Sequence, residues 1–502
     1  MHRAARRKRG RAGAASGGGG DAFSGGRREV RYHAHPFSEP AAPTSRMASP
    51  ATPAASAEPM DCDVLVIGGG PAGSTAAALL ARRGRRVVML EKDAHPRFHI
   101  GESLLPMNMP ILAELGVLDQ VRAIGVHKPG ADFPLLEMAG KRYVFRFSRA
   151  LDPRHDYAVH VRRDQFDQLL FEHARACGVD ARQRTRVVDV AFGEDDRPAL
   201  VEARGADGQV LRWRPRYLLD ASGRDTFIAA RRRFKRKDPK HQSAALFSHF
   251  RGVARHEGED AGNITVARFD QGWFWLIPLP DDIMSVGAVC FPEYLKQRSD
   301  DGGRIDNETL LMRTLEANPE VRARMRGATR VAPVHATGNY SYGSTRMAGP
   351  GWMLIGDAYA FVDPIFSSGV YLAMDSARQA CEVVDATLRD PSREAPMQAA
   401  MQARLHRGLR HFTWFIHRFN TPVMRRLFSA PRNDWQLEQA IISMLAGDVF
   451  DNAAVRRRLH VFRMIYAINA LAIAPRALRG WMQRRRQARA SFRGDTLHEG
   501  NP

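Results

Sequence analysis

The stretch Val64-Leu65-Val66-Ile67-Gly68-Gly69-Gly70-Pro71-Ala72-Gly73 decides the fold. Its first four residues are apolar and mostly β-branched, and they stop on three glycines, which marks a buried parallel strand running into a tight turn. From Pro71 the sequence becomes Ala- and Leu-rich up to Arg83, with Gly84 closing the run, so a helix is expected there. Arg86-Val87-Val88-Met89-Leu90 reads as a second strand, ended by Glu91. Strand, glycine turn, helix and strand within about thirty residues make a β-α-β unit. The spacing Gly68-x-Gly70-x-x-Gly73 lets the chain turn sharply and lets backbone approach a pyrophosphate, which then lies on a helix N-terminus. Glu91 stands where an acid can meet ribose hydroxyls. Gly68, Gly70, Ala72, Gly73 and Glu91 are therefore candidate dinucleotide contacts.

Outward from this unit the pattern stays mixed α/β. A helix is expected over Gln165–Ala176. Arg186–Phe192, Ala199–Ala203 and Gln209–Arg214 alternate like an antiparallel meander, and Arg216–Asp220 reads as a further apolar strand. Residues 244–295 are strand-rich. Gly351–Gly356 is one more buried strand, followed by a loop and a long helix from Gly369 to about Leu388. Beyond Met401 apolar residues such as Phe412, Phe415, Ile416 and Phe419 fall at helical spacing. The expected architecture is a Rossmann-like core, a mixed or antiparallel β-sheet substrate domain and a helical C-terminal region. Its expected segments are a disordered basic tail at 1–59, the core at 60–235 with an inserted substrate-side loop around 125–155, a β-rich substrate domain at 236–345, a return to the core at 346–400 and a basic helical region at 401–502.

Composition narrows the function. The chain has 502 residues, 44% of them hydrophobic, enough to bury a large core. Its formal charge of +21 would suit nucleic acid or a membrane face, but the excess sits at the two ends. Residues 1–60 hold ten Lys/Arg against four Asp/Glu, and residues 401–502 hold eighteen against six. The arginine runs at 456–458 and 484–486 suit peripheral contact with a membrane or an acidic protein; no nucleic-acid motif accompanies them. Cys62, Cys177, Cys290 and Cys381 form no CxxC pair, so neither zinc nor a disulfide framework is expected, and a cytoplasmic location fits.

Motifs far downstream identify the dinucleotide. Leu354-Ile355-Gly356-Asp357-Ala358 resembles the GD motif of the FAD-dependent hydroxylase-like fold, in which the aspartate contacts the flavin's ribityl region. Arg163-x-x-Phe166-Asp167 matches an element in which the arginine contacts the cofactor, and Asp220-Ala221-Ser222-Gly223-Arg224 resembles a strand-end signature of the same fold. Gly101-Glu102-Ser103-Leu104-Leu105-Pro106, the WxWxIP pattern at Trp273–Pro278 and the FxxPxxSxG pattern at Phe361–Gly369 resemble the flavin-dependent halogenases over roughly residues 61–450.

That resemblance implies FAD, used in its reduced form with oxygen and chloride or bromide, and a separate flavin reductase as partner. It implies that Trp273 and Trp275 form a wall between flavin and substrate, that the backbone of Ser368 and Gly369 binds halide, and that a lysine carries the halogen. Lys128, in Lys128-Pro129-Gly130-Ala131-Asp132-Phe133, matches the family's lysine context; Lys141 does not. Phe366 stands where tryptophan halogenases carry a glutamate. The substrate expected by analogy is therefore an aromatic or conjugated acyl group, free or on a carrier protein. An aromatic hydroxylase, or a reductase of the geranylgeranyl reductase kind, would share the FAD motifs but not Lys128, the tryptophan pair or Ser367-Ser368-Gly369.

Overall fold

Strand Met60–Ile67 lies in the middle of a parallel sheet in the computed structural model, which describes residues 58–472 apart from 136–139, 239–241, 298–302, 304, 339–340 and 430–433. The tail at 1–57 and Arg484-Arg485-Arg486 lie outside the described residues. On one side Met60–Ile67 pairs with Val87–Leu90, and through it with Asp180–Arg182. On the other it pairs with Val210–Asp220 and then Trp352–Leu354. All four pairings are parallel, and Val64–Ile67, Val87–Leu90, Tyr217–Asp220 and Trp352–Leu354 are buried throughout, which explains their near-continuous apolar runs; Asp180–Arg182, at the edge, is not. Helices Pro71–Arg82, Arg163–Ala176 and Ser368–Arg389 pack together beside this sheet.

Val210–Asp220 differs from the expected pair of short strands: it is one strand with two jobs. Val210–Trp213 pairs antiparallel with Val201–Arg204, while Trp213–Asp220 pairs parallel with Met60–Ile67. Burial alternates through Arg216 and is continuous over Tyr217–Asp220, while the neighbour changes at Trp213 without a break in the strand.

A second sheet carries Ala244–Arg251, Ile283–Cys290, Gly272–Pro278, Ile264–Phe269, Gly130–Pro134 and Arg142–Arg146 in that spatial order. The segment expected as a loop around 125–155 thus supplies strands. Gly125–Lys128 pairs with Ala158–Val161, and Gly130–Pro134 joins the second sheet beside Ile264 and Thr265. One face of this sheet packs on helices Asn307–Ala317 and Pro319–Arg324 through Leu311, Leu315 and Val321. The other joins the main core, and Trp273 and Trp275 point that way while Phe274 and Leu276 point into the helix-covered face, as the two-residue period of a strand requires.

The C-terminal region is helical, through Glu394–Ile416, Pro422–Ser429, Leu437–Leu445 and residues 453–472. Phe412, Phe415, Ile416 and Phe419 are all buried in the main core. Arg456 donates to the Phe450 carbonyl at 2.7 Å and Arg458 to Gln436 Oε1 at 2.6 Å, so part of the basic run closes this region on itself. No helix among the described residues is long and apolar enough to cross a membrane.

Candidate active site

The three motif glycines do different things. Gly68 has φ +100°, a left-handed backbone that disfavours side chains, and a Cβ there would lie 2.5 Å from the Ala221 carbonyl oxygen. A Cβ on Gly73 would lie 1.8 Å from the Gly68 carbonyl oxygen, so Gly73 lets helix Pro71–Arg82 press on the turn. Gly70 is under neither constraint: its φ is −80°, and the nearest atom to a Cβ would be Arg97 Nη2 at 3.5 Å. The space it leaves open belongs to a cavity that Gly68, Pro71 and Ala72 also line. Gly70 caps the helix with no side-chain hydrogen bond, leaving N–H groups of the first turn for an anion. An apolar-walled cleft with a helix N-terminus at a glycine with no packing reason to be glycine fits a pyrophosphate.

Glu91 is buried at the same end. Its Oε2 accepts from Gly69 N at 2.7 Å and its Oε1 from Asp93 N at 3.0 Å. It holds the turn from behind and lines the cavity as well. Arg163 opens helix Arg163–Ala176, pairs with both oxygens of Asp167 at 2.8 and 3.0 Å, and donates to the Ile100 carbonyl at 2.8 Å. It reaches the cavity wall while fixing the segment before Gly101-Glu102-Ser103. Asp357 enters from the opposite side of the sheet, at the end of strand Trp352–Leu354, behind Gly356, whose N–H donates to Ser376 Oγ at 2.9 Å. Burial raises the Asp357 carboxyl to about 6 against the pull of Arg163 and Arg224.

Trp273 and Trp275 line the same cavity from the second sheet, their rings 5.9 Å apart. Trp275 donates to Ser285 Oγ at 3.1 Å, and its ring lies over Gly287, where a Cβ would come within 2.3 Å of it. Ser367, at φ +55°, makes no side-chain cap for helix Ser368–Arg389, so simple capping by Ser367 is not its use here. Ser367 and Gly369 line the cavity; Ser368 lies just behind, and Phe366 is buried.

Lys128 is not a loop lysine. It ends strand Gly125–Lys128 and is 2% exposed. Its Nζ donates to Ser103 Oγ at 2.8 Å and to the Leu104 carbonyl at 2.9 Å, and it lies 5.4 Å from the Phe147 ring centre. No carboxylate pairs with it among the described residues, and burial pulls the amine down to about 7. Ser103 lines the cavity, so one hydroxyl separates the amine from it. Lys141, by contrast, is exposed.

Known proteins resemble this arrangement along most of the chain. A family model described as an FAD binding domain matches residues 61–413. The chain is 38% identical over 323 residues to a tryptophan 2-halogenase of Chondromyces crocatus, a match covering 64% of this chain and 60% of that one. It is 29% identical over 415 residues to the 1H-pyrrole-2-carbonyl-[peptidyl-carrier protein] chlorinase of Pseudomonas fluorescens, covering 78% and 90%. The solved structure of the myxobacterial chondrochloren halogenase CndH, an FAD-dependent halogenase, superposes with a TM-score of 0.68 at 31% identity, covering 80% of this chain and 97% of that one. The chain belongs to the flavin-dependent halogenases. It is accordingly an FAD-dependent oxidoreductase, and FAD is its cofactor.

The halogenase's cavity thus brings the glycine turn, Glu91, Arg163, Asp357, the two tryptophans and the Ser367–Gly369 turn to one space. Sequence reasoning missed one pair there. Glu102 is buried, and its Oε1 meets His249 Nε2 at 2.8 Å, while its Oε2 has no partner. The pairing with Glu102 holds the His249 imidazole above its usual pKa, against burial. Glu102 stood in the quoted Gly101-Glu102-Ser103 motif, but nothing in the sequence pointed to a histidine so far downstream. No cluster of His, Cys, Asp or Glu suited to a metal occurs among the described residues.

Proposed function

We propose that the halogenase forms hypohalous acid from reduced FAD, oxygen and chloride or bromide, and that Lys128 delivers the halogen to an aromatic or conjugated acyl substrate, free or carrier-bound. When bound and reduced, FAD supplies the two electrons that activate oxygen. Gly68–Gly73, Glu91, Arg163, Gly356 and Asp357 hold and orient it. The N–H groups of Ser368 and Gly369 receive the halide, where Phe366 brings no competing negative charge. Trp273 and Trp275 exclude water and keep the substrate from the flavin.

One observation carries this reading: Lys128 is a desolvated amine bonded only to neutral oxygens. A lysine whose pKa sits near neutrality can donate a hydrogen bond to hypohalous acid in either protonation state and, in its substantial unprotonated fraction, take up its halogen. A lysine kept for structure would ordinarily be solvated or paired with a carboxylate. With one dinucleotide turn, used by FAD, reducing equivalents come from a separate flavin reductase. The test is the purified protein with a flavin reductase, NADH, oxygen and bromide, offered a panel of aromatic and acyl-carrier substrates. A bromine isotope doublet in the product is expected; products that are only hydroxylated or reduced would overturn the proposal.

A further inference from the structure

Three arginines are buried among the described residues, and two are well partnered. Arg163 is paired in two-pronged fashion with Asp167. Arg324 donates to the Ala254 carbonyl at 2.8 Å and to Thr265 Oγ1 at 2.6 Å. Arg268 is the exception. It is 8% exposed, no side-chain hydrogen bond or ion pair holds its guanidinium among the described residues, and its Nη2 is buried without a partner. It lies 3.7 Å from the Phe419 ring centre and 5.4 Å from that of Phe428. Faces of aromatic rings attract a cation but recover only part of its lost hydration. Burial, with Arg425 nearby, pulls the group down to about 9, so it stays charged at neutral pH.

Its position ties it to the halogenating end of the molecule. Arg268 stands directly opposite Trp273 across an antiparallel pair, so the two side chains share a face of the sheet. Phe419 packs on Phe366, two residues before Ser368, and on Phe133 of the lysine segment. Arg268 is thus one ring away from both the turn assigned to halide and the strand that follows Lys128.

We propose that Arg268, which stands beside Trp273 just behind the cavity wall, is a specificity residue that receives a carboxylate carried by the aromatic substrate, so that a free aromatic acid binds with its ring against Trp273 and its acid group reaching the guanidinium. This rests on the reading of the cavity as a halogenation site for aromatic substrates, and it names their chemical class. A planar guanidinium with unused N–H groups matches a carboxylate in geometry and charge, and a water-poor aromatic surround strengthens that match.

The experiment is equilibrium binding to the FAD-loaded, oxidised protein, without halide, reductase or NADH, of three probes: benzoate, neutral benzamide and phosphopantetheine. Because no turnover is involved, the outcome is separate from whether Lys128 carries halogen. The wild type should bind benzoate at least about tenfold more tightly than benzamide, as a charge-assisted hydrogen bond would give. Arg268→Gln should erase the preference, and Arg268→Lys should keep part of it. Equal binding of benzoate and benzamide by the wild type would overturn the proposal, and that measurement needs no variant to fold. An unchanged preference in Arg268→Gln would overturn it as well. Arg268-dependent binding of phosphopantetheine without benzoate would assign the charge to a carrier's phosphate and overturn the carboxylate.

Discussion

At Gly68–Gly73 the halogenase turns backbone toward its cavity; at Lys128 it encloses a side chain. The first region works by what is missing. Gly70 lacks a Cβ that no protein atom would obstruct, and helix Pro71–Arg82 lacks a side-chain cap. The second works by what is enclosed: an amine sealed behind Ser103 with no countercharge among the described residues. A backbone site is fixed by a contiguous stretch and tolerates no side chain. A side-chain site depends on segments distant in sequence, here Ser103, Lys128 and Phe147, and is felt as an electrostatic property. The two regions should therefore fail differently.

The largest failure expected is at the lysine. Lys128→Met keeps the buried volume and removes the amine. Halogenation should fall by more than about 10³-fold, toward or beyond the upper range for acid–base groups, since the proposed halogen carrier is gone. FAD content should be unchanged, and peroxide should still form from reduced flavin and oxygen. Exposed Lys141 is the control, and Lys141→Ala should cost little. Near wild-type bromination by Lys128→Met would end the distinction drawn between the two regions.

The glycine turn should break the other way. Gly70→Glu places a side chain where only a ligand would be, so the apoprotein should fold and the FAD should be lost, on the order of 10²-fold in affinity. Gly73→Ala puts a methyl 1.8 Å from a backbone oxygen and should cost about 1–3 kcal/mol or more of stability whether or not FAD is present. Absorbance at the flavin band and melting of both apoproteins separate the cases. If Gly70→Glu stays yellow, the pyrophosphate lies elsewhere.

The same contrast explains what could be read from the sequence. The parallel strands and their glycine turn were legible because each is a continuous stretch with a period and a terminator. Arg163, Asp357 and the tryptophans could be placed through motifs spread along the chain. Segment 125–155 is expected from the sequence as an inserted substrate-side loop. It forms strands because Gly130–Pro134 pairs with Arg142–Arg146 and Gly125–Lys128 with Ala158–Val161, and a second neighbour for Gly130–Pro134, at Ile264–Thr265, lies more than a hundred residues on. Burial of Lys128, the Glu102–His249 contact and the unpaired state of Arg268 arise only when distant segments meet, and no local pattern encodes them.

A smaller effect is expected where side chain and backbone cooperate. Gly287 gives Trp275 its place, since a Cβ would lie within 2.3 Å of the ring. Gly287→Ala should tilt the indole and strain its hydrogen bond to Ser285. If the tryptophans separate flavin from substrate, halogenation should fall several-fold, on the order of a lost contact rather than a lost catalytic group, while peroxide release rises. Equal losses of both would mean that Trp275 only fills the core.

The smallest effect tests the enclosure of Lys128 itself. Burial depresses its amine to about 7, whereas a lysine in the unfolded chain titrates near about 10.4. Below pH 7 both states carry the proton, and the full cost of burying the charge is present. Between these values the unfolded chain holds a proton that the native protein has released, so the unfolded state binds more protons and stability rises with pH. The limiting slope is about 1.4 kcal/mol per pH unit. From pH 6.5 to 8.5 the wild type should therefore gain on the order of 2 kcal/mol relative to Lys128→Met, because other groups titrate alike in both proteins and cancel. Denaturant midpoints of the two proteins at both pH values measure this. The same titration should appear in turnover, which falls below about pH 7 as the amine becomes protonated and can no longer take up halogen. Parallel stability curves for the two proteins would mean that water reaches the amine, and Lys128 would then need a catalytic explanation other than desolvation.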